Sequence, residues 1–232
     1  MLAKRPVHSY VAYFQAFTNT YAPVPRLEKI FTEAIQDPDV RALSIATRPD
    51  CLGSDVLELL GRLNQIKPVW VELGLQTIHE ETARFIRRGY DLDIFDRAVT
   101  DLRRLGITVI VHVILFLPGE TEEMMLETLD YLNSRDIQGI KLQLLHILEG
   151  TDLAELYRDH PFHTPDMEEY IRVLGRCIAR LRPDIAIHRL TGDGPKDLLI
   201  APLWTGAKRT VLNRLNQYLK EKDLWQGKEY YG

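Results

Sequence analysis

Cysteine is scarce in this chain. Only Cys51 and Cys177 occur among 232 residues, and they form no CxxC pair. Two thiols cannot build the disulfide framework that stabilises small secreted domains, so we expect a protein of a reducing compartment. Cys177 falls on the apolar stripe of a predicted helix and is expected in the core, whereas Cys51 is expected to be an idle thiol.

Long apolar runs are missing as well. The longest, residues 109–117, is interrupted by His112 and is far shorter than the roughly 18 residues that a membrane-spanning helix needs. Residues 1–6 carry two charges with no hydrophobic stretch after them, which is not the pattern of a secretion signal. The sequence therefore predicts a cytoplasmic protein without a membrane partner.

Positive charge is not in excess. The chain has 29 Lys and Arg against 33 Asp and Glu, a net charge of −4, whereas proteins that bind by neutralising phosphates usually carry a basic excess. Residues 196–232 alone are weakly basic, with seven basic and four acidic side chains. A solvated helix face accounts for this asymmetry, and an RNA-facing surface is the alternative.

The sequence does contain a regular alternation of predicted strands and helices. Runs typical of strands lie near residues 10–17, 42–46, 69–75, 109–116, 139–145 and 185–188, and segments with helical spacing separate them. Ser54 and Thr121 are predicted to cap two of the helices. Strand and helix repeated five or six times predict right-handed βαβ units with a parallel sheet.

The number of strands decides between the α/β architectures. An eight-unit barrel takes about 250 residues, and the strands found here are too few for one. We therefore predict a partial (β/α)6-type barrel, with an open doubly wound sheet as the alternative. Residues 1–190 are predicted to form the barrel domain, and residues 191–232, a Gly/Pro-rich loop and a helix, an extension packed on it.

Polar and turn-forming residues follow five of the predicted strands. Since ligands bind where parallel strands end, and a buried polar group without a partner costs about 1–3 kcal/mol, we expect these residues to line one ligand site. Ordinary polarity at strand ends is the alternative. The residues are Gln15 with Thr18, Asn19 and Thr20; Thr47, Arg48, Pro49 and Asp50; Glu72 with Gln76; His112 with Pro118, Gly119, Glu120 and Thr121; and Gln143 with His146, Glu149, Gly150 and Thr151.

Four of these segments resemble motifs of one family, the radical S-adenosylmethionine enzymes. Residues 71–77 (VELGLQT) with 87–90 (RRGY), and residues 114–121 (ILFLPGET), are similar to two of its strand-end motifs. Residues 47–50 (TRPD) resemble the elongator acetyltransferase-like branch. Residues 13–23 and 145–151 narrow the resemblance to the YhcC-type group, and it extends from about residue 10 to the C-terminus.

The resemblance implies an activity and a ligand. Enzymes of the family cleave S-adenosylmethionine reductively to a 5′-deoxyadenosyl radical, using a [4Fe–4S] cluster on a CxxxCxxC loop. It also implies that Gln76 and Arg88 lie near the sugar and the methionine carboxylate, to which a guanidinium fork is suited. His112 matches a ribose or adenine contact, and the backbone around Pro118 and Gly119 would approach the adenine.

Several positions depart from the family pattern. Residues 15–17 (QAF) replace a glycine-rich run, Ala46 stands where a Glu is frequent, and Phe116 replaces a glycine. A cuboidal cluster needs about three or four thiolates, which two cysteines cannot supply, and nothing before Val7 resembles a first strand. We therefore expect a fragment without the first βα unit, inactive alone, whose cluster belongs to the complete protein.

Two other functions stay open. A barrel without a cluster can bind a nucleoside or a protein, and the elongator-like branch suggests an enzyme fragment that modifies tRNA. The sequence indicates no metal site, no catalytic residue and no substrate. An open edge of the sheet at the first strand invites pairing with another chain, so either a homodimer or a covered edge is expected.

Overall fold

A computed structural model of the protein describes residues 8–192 and 194–231. Residues 1–7, in which no strand was predicted, lie outside the described residues. Asp193 of the Gly/Pro-rich loop lies outside them as well. The chain forms two compact units. The first contains residues 8–74, 90–111 and 136–138, and the second contains the other described residues. The predicted boundary after residue 190 stays a prediction.

Helices and strands alternate along the chain. Two short 3₁₀ turns, Pro49–Cys51 and Leu203–Gly206, accompany them. The elements are β1 (Tyr10–Phe14), α1 (Val24–Gln36), β2 (Val40–Thr47), α2 (Ser54–Asn64), β3 (Val69–Gln76), α3 (Glu80–Phe85), α4 (Leu92–Arg104), β4 (Thr108–Leu115), α5 (Glu122–Asn133), β5 (Gly139–Leu144), β6 (Ile147–Leu148), α6 (Asp152–Asp159), α7 (Met167–Arg180), β7 (Ala186–Arg189), β8 (Leu199–Ala201) and α8 (Lys208–Glu221).

The main sheet has six parallel strands in the order β1-β2-β3-β4-β5-β7. At least one helix lies between each pair of consecutive strands from β1 to β5, which is the βαβ pattern that parallel pairing requires. The predicted fold class, α/β with a parallel sheet of the partial-barrel type, is confirmed. The antiparallel pair β6 and β8 was not predicted, because strands of two and three residues show no periodicity.

In the first unit, helices bury their apolar stripes. Phe31 of α1, Leu60 of α2 and Phe95 of α4 are each at most 1% exposed. The rings of Phe14 and Phe31 meet edge to face at 5.0 Å. The contact of the two rings packs the end of β1 against α1.

In the second unit, α7 supplies the largest buried side chain. Tyr170 is fully buried, its hydroxyl donates to the Leu190 carbonyl at 2.7 Å, and its ring lies 5.5 Å from that of Trp204. Cys177, two turns further along α7, is also fully buried. The prediction that Cys177 belongs to the core is confirmed.

The two predicted helix caps have different outcomes. The Thr121 side chain accepts a hydrogen bond from the Met124 backbone and caps α5, as predicted. Ser54 was predicted to cap α2, and this is wrong: Ser54 is the first helical residue and Gly53 is the N-cap. The Gly53 backbone is extended and its carbonyl accepts the first helical hydrogen bond, from the Leu57 N–H at 2.9 Å.

The first strand ends earlier than predicted. β1 stops at Phe14, because Ala16 and Phe17 have φ angles of 69° and 60°. Left-handed backbone costs an L-residue about 1–2 kcal/mol. The same conformation occurs at Gln76, the last residue of β3, with a φ of 66°, and at Phe116, the first residue after β4, with a φ of 61°. Strain of this kind often accumulates at functional sites.

Replacing Phe17 with glycine is expected to stabilise the protein by about 0.5–1 kcal/mol. Its side chain is 98% exposed, so little packing is lost while the left-handed strain is relieved. Urea unfolding measures the change. Tyr21→Gly is the control, since Tyr21 is 83% exposed without a positive φ, and glycine there should lower stability. Equal destabilisation by both substitutions would contradict the prediction.

Candidate functional site

In the first unit, a buried carboxylate joins three neighbouring strands. Glu72 of β3 is 4% exposed. Its two oxygens accept hydrogen bonds from the Tyr13 hydroxyl of β1 at 2.7 Å and from the Ser44 hydroxyl of β2 at 3.0 Å. Sequence reasoning selected Glu72 but not Tyr13 or Ser44, because the partners lie 59 and 28 residues away along the chain.

The loop after β1 is held by an asparagine. The Asn19 side-chain nitrogen donates to the carbonyls of Ala46 at 2.9 Å and Ala16 at 3.2 Å, and the Asn19 backbone N–H also donates to Ala46. Gln15 is exposed and Thr18 half-buried beside it. The amide group of Asn19 therefore fixes the loop to the end of β2, while a role of these three residues in ligand binding stays a prediction.

Arg48 is engaged close to its own position. Its guanidinium donates to both carboxylate oxygens of Asp50 at 2.9 and 2.6 Å and lies 5.5 Å from the centre of the Tyr90 ring. The hydrogen bond from Arg48 lowers the pKa of Asp50. The TRPD segment thus forms a local ion pair after β2, and the predicted ligand contact of Arg48 is not tested by these bonds.

In the second unit, Gln76 combines backbone strain with an unsatisfied polar atom. It ends β3 with a φ of 66°, and its side-chain oxygen is buried with no hydrogen-bond partner among the described residues. Buried polar atoms of folded proteins are otherwise nearly always bonded. An amide oxygen in this state suits a ligand that donates a hydrogen bond, such as a sugar hydroxyl.

Arg88 contacts Thr77, the residue that follows Gln76 in the chain. The Arg88 side chain is 2% exposed, and it donates to the Thr77 carbonyl and to a Glu80 carboxylate oxygen, each at 2.8 Å. The Thr77 hydroxyl in turn donates to Glu120. The structure therefore places Arg88 against Thr77, the residue after Gln76, and adds Glu120 of the FLPGET segment to this group. The ligand contacts of Gln76 and Arg88 stay predictions.

Glu120 is a half-buried carboxyl with a perturbed proton affinity. Burial raises the pKa of Glu120, and the hydrogen bond from Thr77 offsets this only in part. A carboxyl with a raised folded-state pKa binds its proton more tightly in the folded chain. The contribution of Glu120 to the free energy of unfolding is therefore largest below the unfolded-state pKa of its carboxyl. This contribution is lost as the pH rises through the folded-state pKa.

The substitution Glu120→Gln tests this linkage. Glutamine keeps an acceptor for Thr77 and removes the titration, so the stability of the variant relative to the unmodified protein should be higher at pH 7 than at pH 4. Urea unfolding at both pH values measures the difference. Glu155→Gln, at an exposed position of α6, should show no such trend, and the same difference at both pH values for Glu120→Gln would refute the linkage.

The polar residues of β4 and β5 and of the loops after them are linked in part. Gln143 and His112 form a long hydrogen bond of 3.5 Å, and Arg189 donates to the Gln143 amide oxygen at 3.4 Å. His146 lines a cavity of about 260 Å³ together with Gln143 and Arg189. Residues 118–119 form a turn in which Gly119 has a φ of 86° and open space around it, so its backbone is accessible.

The described residues do not fit an iron–sulfur cluster. Cys177 is fully buried in α7, and Cys51 is half-buried after β2. No group of three His, Cys, Asp or Glu in residues 8–192 and 194–231 could hold a metal ion. In the same part of the chain, no helix is long and apolar enough to cross a membrane. For S-adenosylmethionine the described residues do offer a fitting group, because the buried amide oxygen of Gln76 has no hydrogen-bond partner among them.

Comparison with protein families gives two adjoining matches. The Radical SAM superfamily matches residues 2–132, and the Radical_SAM C-terminal domain matches residues 137–221. "Uncharacterized protein YtqA" of Bacillus subtilis is 43% identical over 94% of this chain and 68% of its own length. "Protein YhcC" of Escherichia coli is 36% identical over 91% of this chain and 69% of its own length.

More distant relatives include a tRNA uridine(34) acetyltransferase of Methanocaldococcus jannaschii, 26% identical over 78% of this chain and 33% of that protein. Among solved structures, Methanocaldococcus infernus Elp3 with an N-terminal deletion has a TM-score of 0.82 at 18% identity. The match covers 95% of this chain and 56% of the Elp3 chain. At this identity the likeness shows the shared fold, and this chain spans little more than half of that protein.

Proposed function

Because the chain belongs to the radical SAM superfamily, we propose that it forms the S-adenosylmethionine-binding part of an enzyme of that family. The observation that carries the proposal is the buried amide oxygen of Gln76, which has no partner among the described residues. Leaving such an atom unpaired costs about 1–3 kcal/mol, and a ligand hydroxyl removes that cost. Complete proteins of the family use S-adenosylmethionine and a [4Fe–4S] cluster.

Each side chain has its own task in the proposal. The amide oxygen of Gln76 accepts a hydrogen bond from a ribose hydroxyl, and the guanidinium of Arg88 attracts the methionine carboxylate. The open turn at Pro118 and Gly119 offers backbone groups to the adenine, and His112 contacts the ribose or adenine. The other predicted contacts are Gln15, Thr18, Asn19, Arg48, Glu72 and His146.

When bound, S-adenosylmethionine supplies the 5′-deoxyadenosyl group that its reductive cleavage releases as a radical in the predicted reaction. This chain offers two cysteines, one of them fully buried, so its residues provide no ligand set for the cluster on which that cleavage depends. We therefore assign to the chain binding and orientation of S-adenosylmethionine, and we propose that it is inactive by itself.

Equilibrium dialysis with labelled S-adenosylmethionine tests the binding step. Saturable binding is expected, and Gln76→Ala should weaken it about tenfold, the factor that corresponds to about 1.4 kcal/mol. Gln65→Ala, the same substitution at an exposed position after α2, is the control and should leave the dissociation constant unchanged. Equal affinity in all three proteins would overturn the assignment of Gln76.

Anaerobic treatment with iron and sulfide tests the proposed inactivity. The chain should gain no [4Fe–4S] electron paramagnetic signal and should release no 5′-deoxyadenosine after reduction. A protein extended by the upstream reading frame should show both if that frame encodes the cluster loop. Saturable nucleoside binding without a cluster in the extended protein would instead favour the cluster-free binding module.

A second candidate function, action on tRNA, is supported by the similarity to a tRNA uridine(34) acetyltransferase. The weakly basic residues 196–232 contribute exposed Lys208, Arg209 and Lys220 in α8. Gel-shift binding of tRNA that persists in 200 mM salt would support this candidate. No binding at 50 mM salt would dismiss it, because phosphate contacts are strongest at low salt.

A further inference from the structure

Two adjoining cavities of the second unit are lined by cationic side chains that the proposed binding of S-adenosylmethionine does not use. One, of about 250 Å³, has Lys196 and Lys208 in its wall. The other, of about 260 Å³, has Arg189. His146 and Gly194 belong to both walls, and no Asp or Glu lies among the described residues that line either cavity.

Arg189 differs from most other arginines of this unit. It is half-buried, and the only described hydrogen bond of its side chain goes to the neutral amide of Gln143 at 3.4 Å. Neither Arg189 nor Lys196 forms an ion pair with a described residue. Eight arginines of the same unit do pair with carboxylates: Arg87, Arg88, Arg158, Arg172, Arg176, Arg180, Arg182 and Arg214.

The loop after β7 holds the shared wall in place by close contact. Gly192 and Gly194 lie so near the His146 ring that a methyl group on either would overlap it. The backbone of the loop therefore restricts the His146 imidazole on one side. Arg189 lines one of the two cavities, and Lys196 and Lys208 line the other. A half-buried guanidinium that has no carboxylate partner among the described residues is stabilised when an anion joins it, and its fork is suited to an oxyanion.

We propose that these cavities bind the carboxylate or phosphate group of a small organic anion through Arg189, Lys196 and Lys208. Volumes of about 250 and 260 Å³ accommodate a small molecule rather than a nucleic acid helix. That this anion is the substrate of the enzyme rests on the proposed function, whereas the anion site does not. A substrate held here presents a charged group to β5 and β7.

Calorimetric titration of the whole chain with inorganic phosphate and with succinate tests the proposal. At least one anion should bind saturably, and the preferred one identifies the group. Arg189→Gln should raise its dissociation constant at least tenfold, since a charge-assisted hydrogen bond contributes about 1.5–3 kcal/mol. Lys196→Gln combined with Lys208→Gln should raise it several-fold.

Two matched controls and a competitor decide the outcome. Arg209→Gln and Lys220→Gln remove exposed charges of α8 that line neither cavity, and they should leave the dissociation constant unchanged. Absence of saturable binding, or equal weakening by Arg209→Gln and Arg189→Gln, overturns the proposal. Loss of binding to a 20-nucleotide RNA in the Arg189→Gln protein, with no binding of either small anion, overturns it in favour of nucleic acid.

A last measurement separates this proposal from the proposed function. The dissociation constant of S-adenosylmethionine should be the same in Lys196→Gln as in the unmodified chain. Lys196 has no described hydrogen bond to a residue assigned to S-adenosylmethionine, whereas Arg189 bonds Gln143, the partner of His112. Anion binding without S-adenosylmethionine binding would refute the proposed function and leave the anion site established. The reverse result would refute the anion site alone.

Discussion

Arg88→Met is expected to lower the free energy of unfolding by about 3 kcal/mol, because removing one partner of a buried ion pair costs about 3–5 kcal/mol. The lower end of that range applies, since the Arg88 side chain is 2% exposed but its partner Glu80 is 43% exposed. The Thr77 carbonyl would also lose its donor. Urea unfolding at pH 7 measures the change.

The neighbouring arginine provides a matched control. Arg87 pairs with Asp152, but the two side chains are 78% and 73% exposed, and exposed ion pairs contribute about 0–1 kcal/mol. Arg87→Met should therefore cost less than about 1 kcal/mol. If the two methionine variants unfold at the same urea concentration, Arg88 does not hold its unit together in the way the hydrogen bonds suggest.

Arg88→Lys distinguishes a ligand role from a structural one. Lysine keeps the positive charge but loses the planar fork that bonds two partners at once, so the variant should fold with an intermediate stability. Under conditions in which it is fully folded, its affinity for S-adenosylmethionine reports on the predicted contact with the methionine carboxylate. Unchanged affinity would leave Arg88 with the structural task alone.

The sequence predicted the fold well where the signal is local and repeated. The spacing of apolar residues predicted α1, α4 and α7, and the continuous apolar run of β4 predicted a strand buried on both faces. Four short motifs predicted the family, which is confirmed. Residue propensities failed to predict where β1 ends. Phe17 has a high strand propensity, yet its φ of 60° is not that of a strand, and β1 ends at Phe14.

The candidate site could be predicted only as a set of strand ends. Spacing places Glu72 and Gln76 near the end of β3, but it does not reveal that Tyr13 donates to Glu72. Thr77 and Glu120 are 43 residues apart in the chain and become neighbours only through the fold. Arg189 illustrates the converse. That it has no carboxylate partner among residues 8–192 and 194–231 is recognised only after the partners of the other arginines are known.

The two thiols are expected to differ in reactivity by at least about 100-fold, because the thiolate is the reacting form. Burial raises the pKa of Cys177 to about 12, and the side chain is fully buried. Burial also raises the pKa of Cys51, with a further contribution from Asp50, but that thiol is only half-buried. At pH 8, a disulfide reagent should therefore modify Cys51 alone in the folded protein.

Single-cysteine variants assign the two rates. Cys177→Ala leaves Cys51 as the only thiol and should keep the fast phase, whereas Cys51→Ala should react only as fast as the folded chain opens. Comparable rates in the two variants would contradict the burial of Cys177. Slow reaction at Cys177 also bears on the cluster, since a ligand to iron must be a thiolate that iron can reach. Cys51 alone then remains accessible, and a single thiolate cannot hold a [4Fe–4S] cluster.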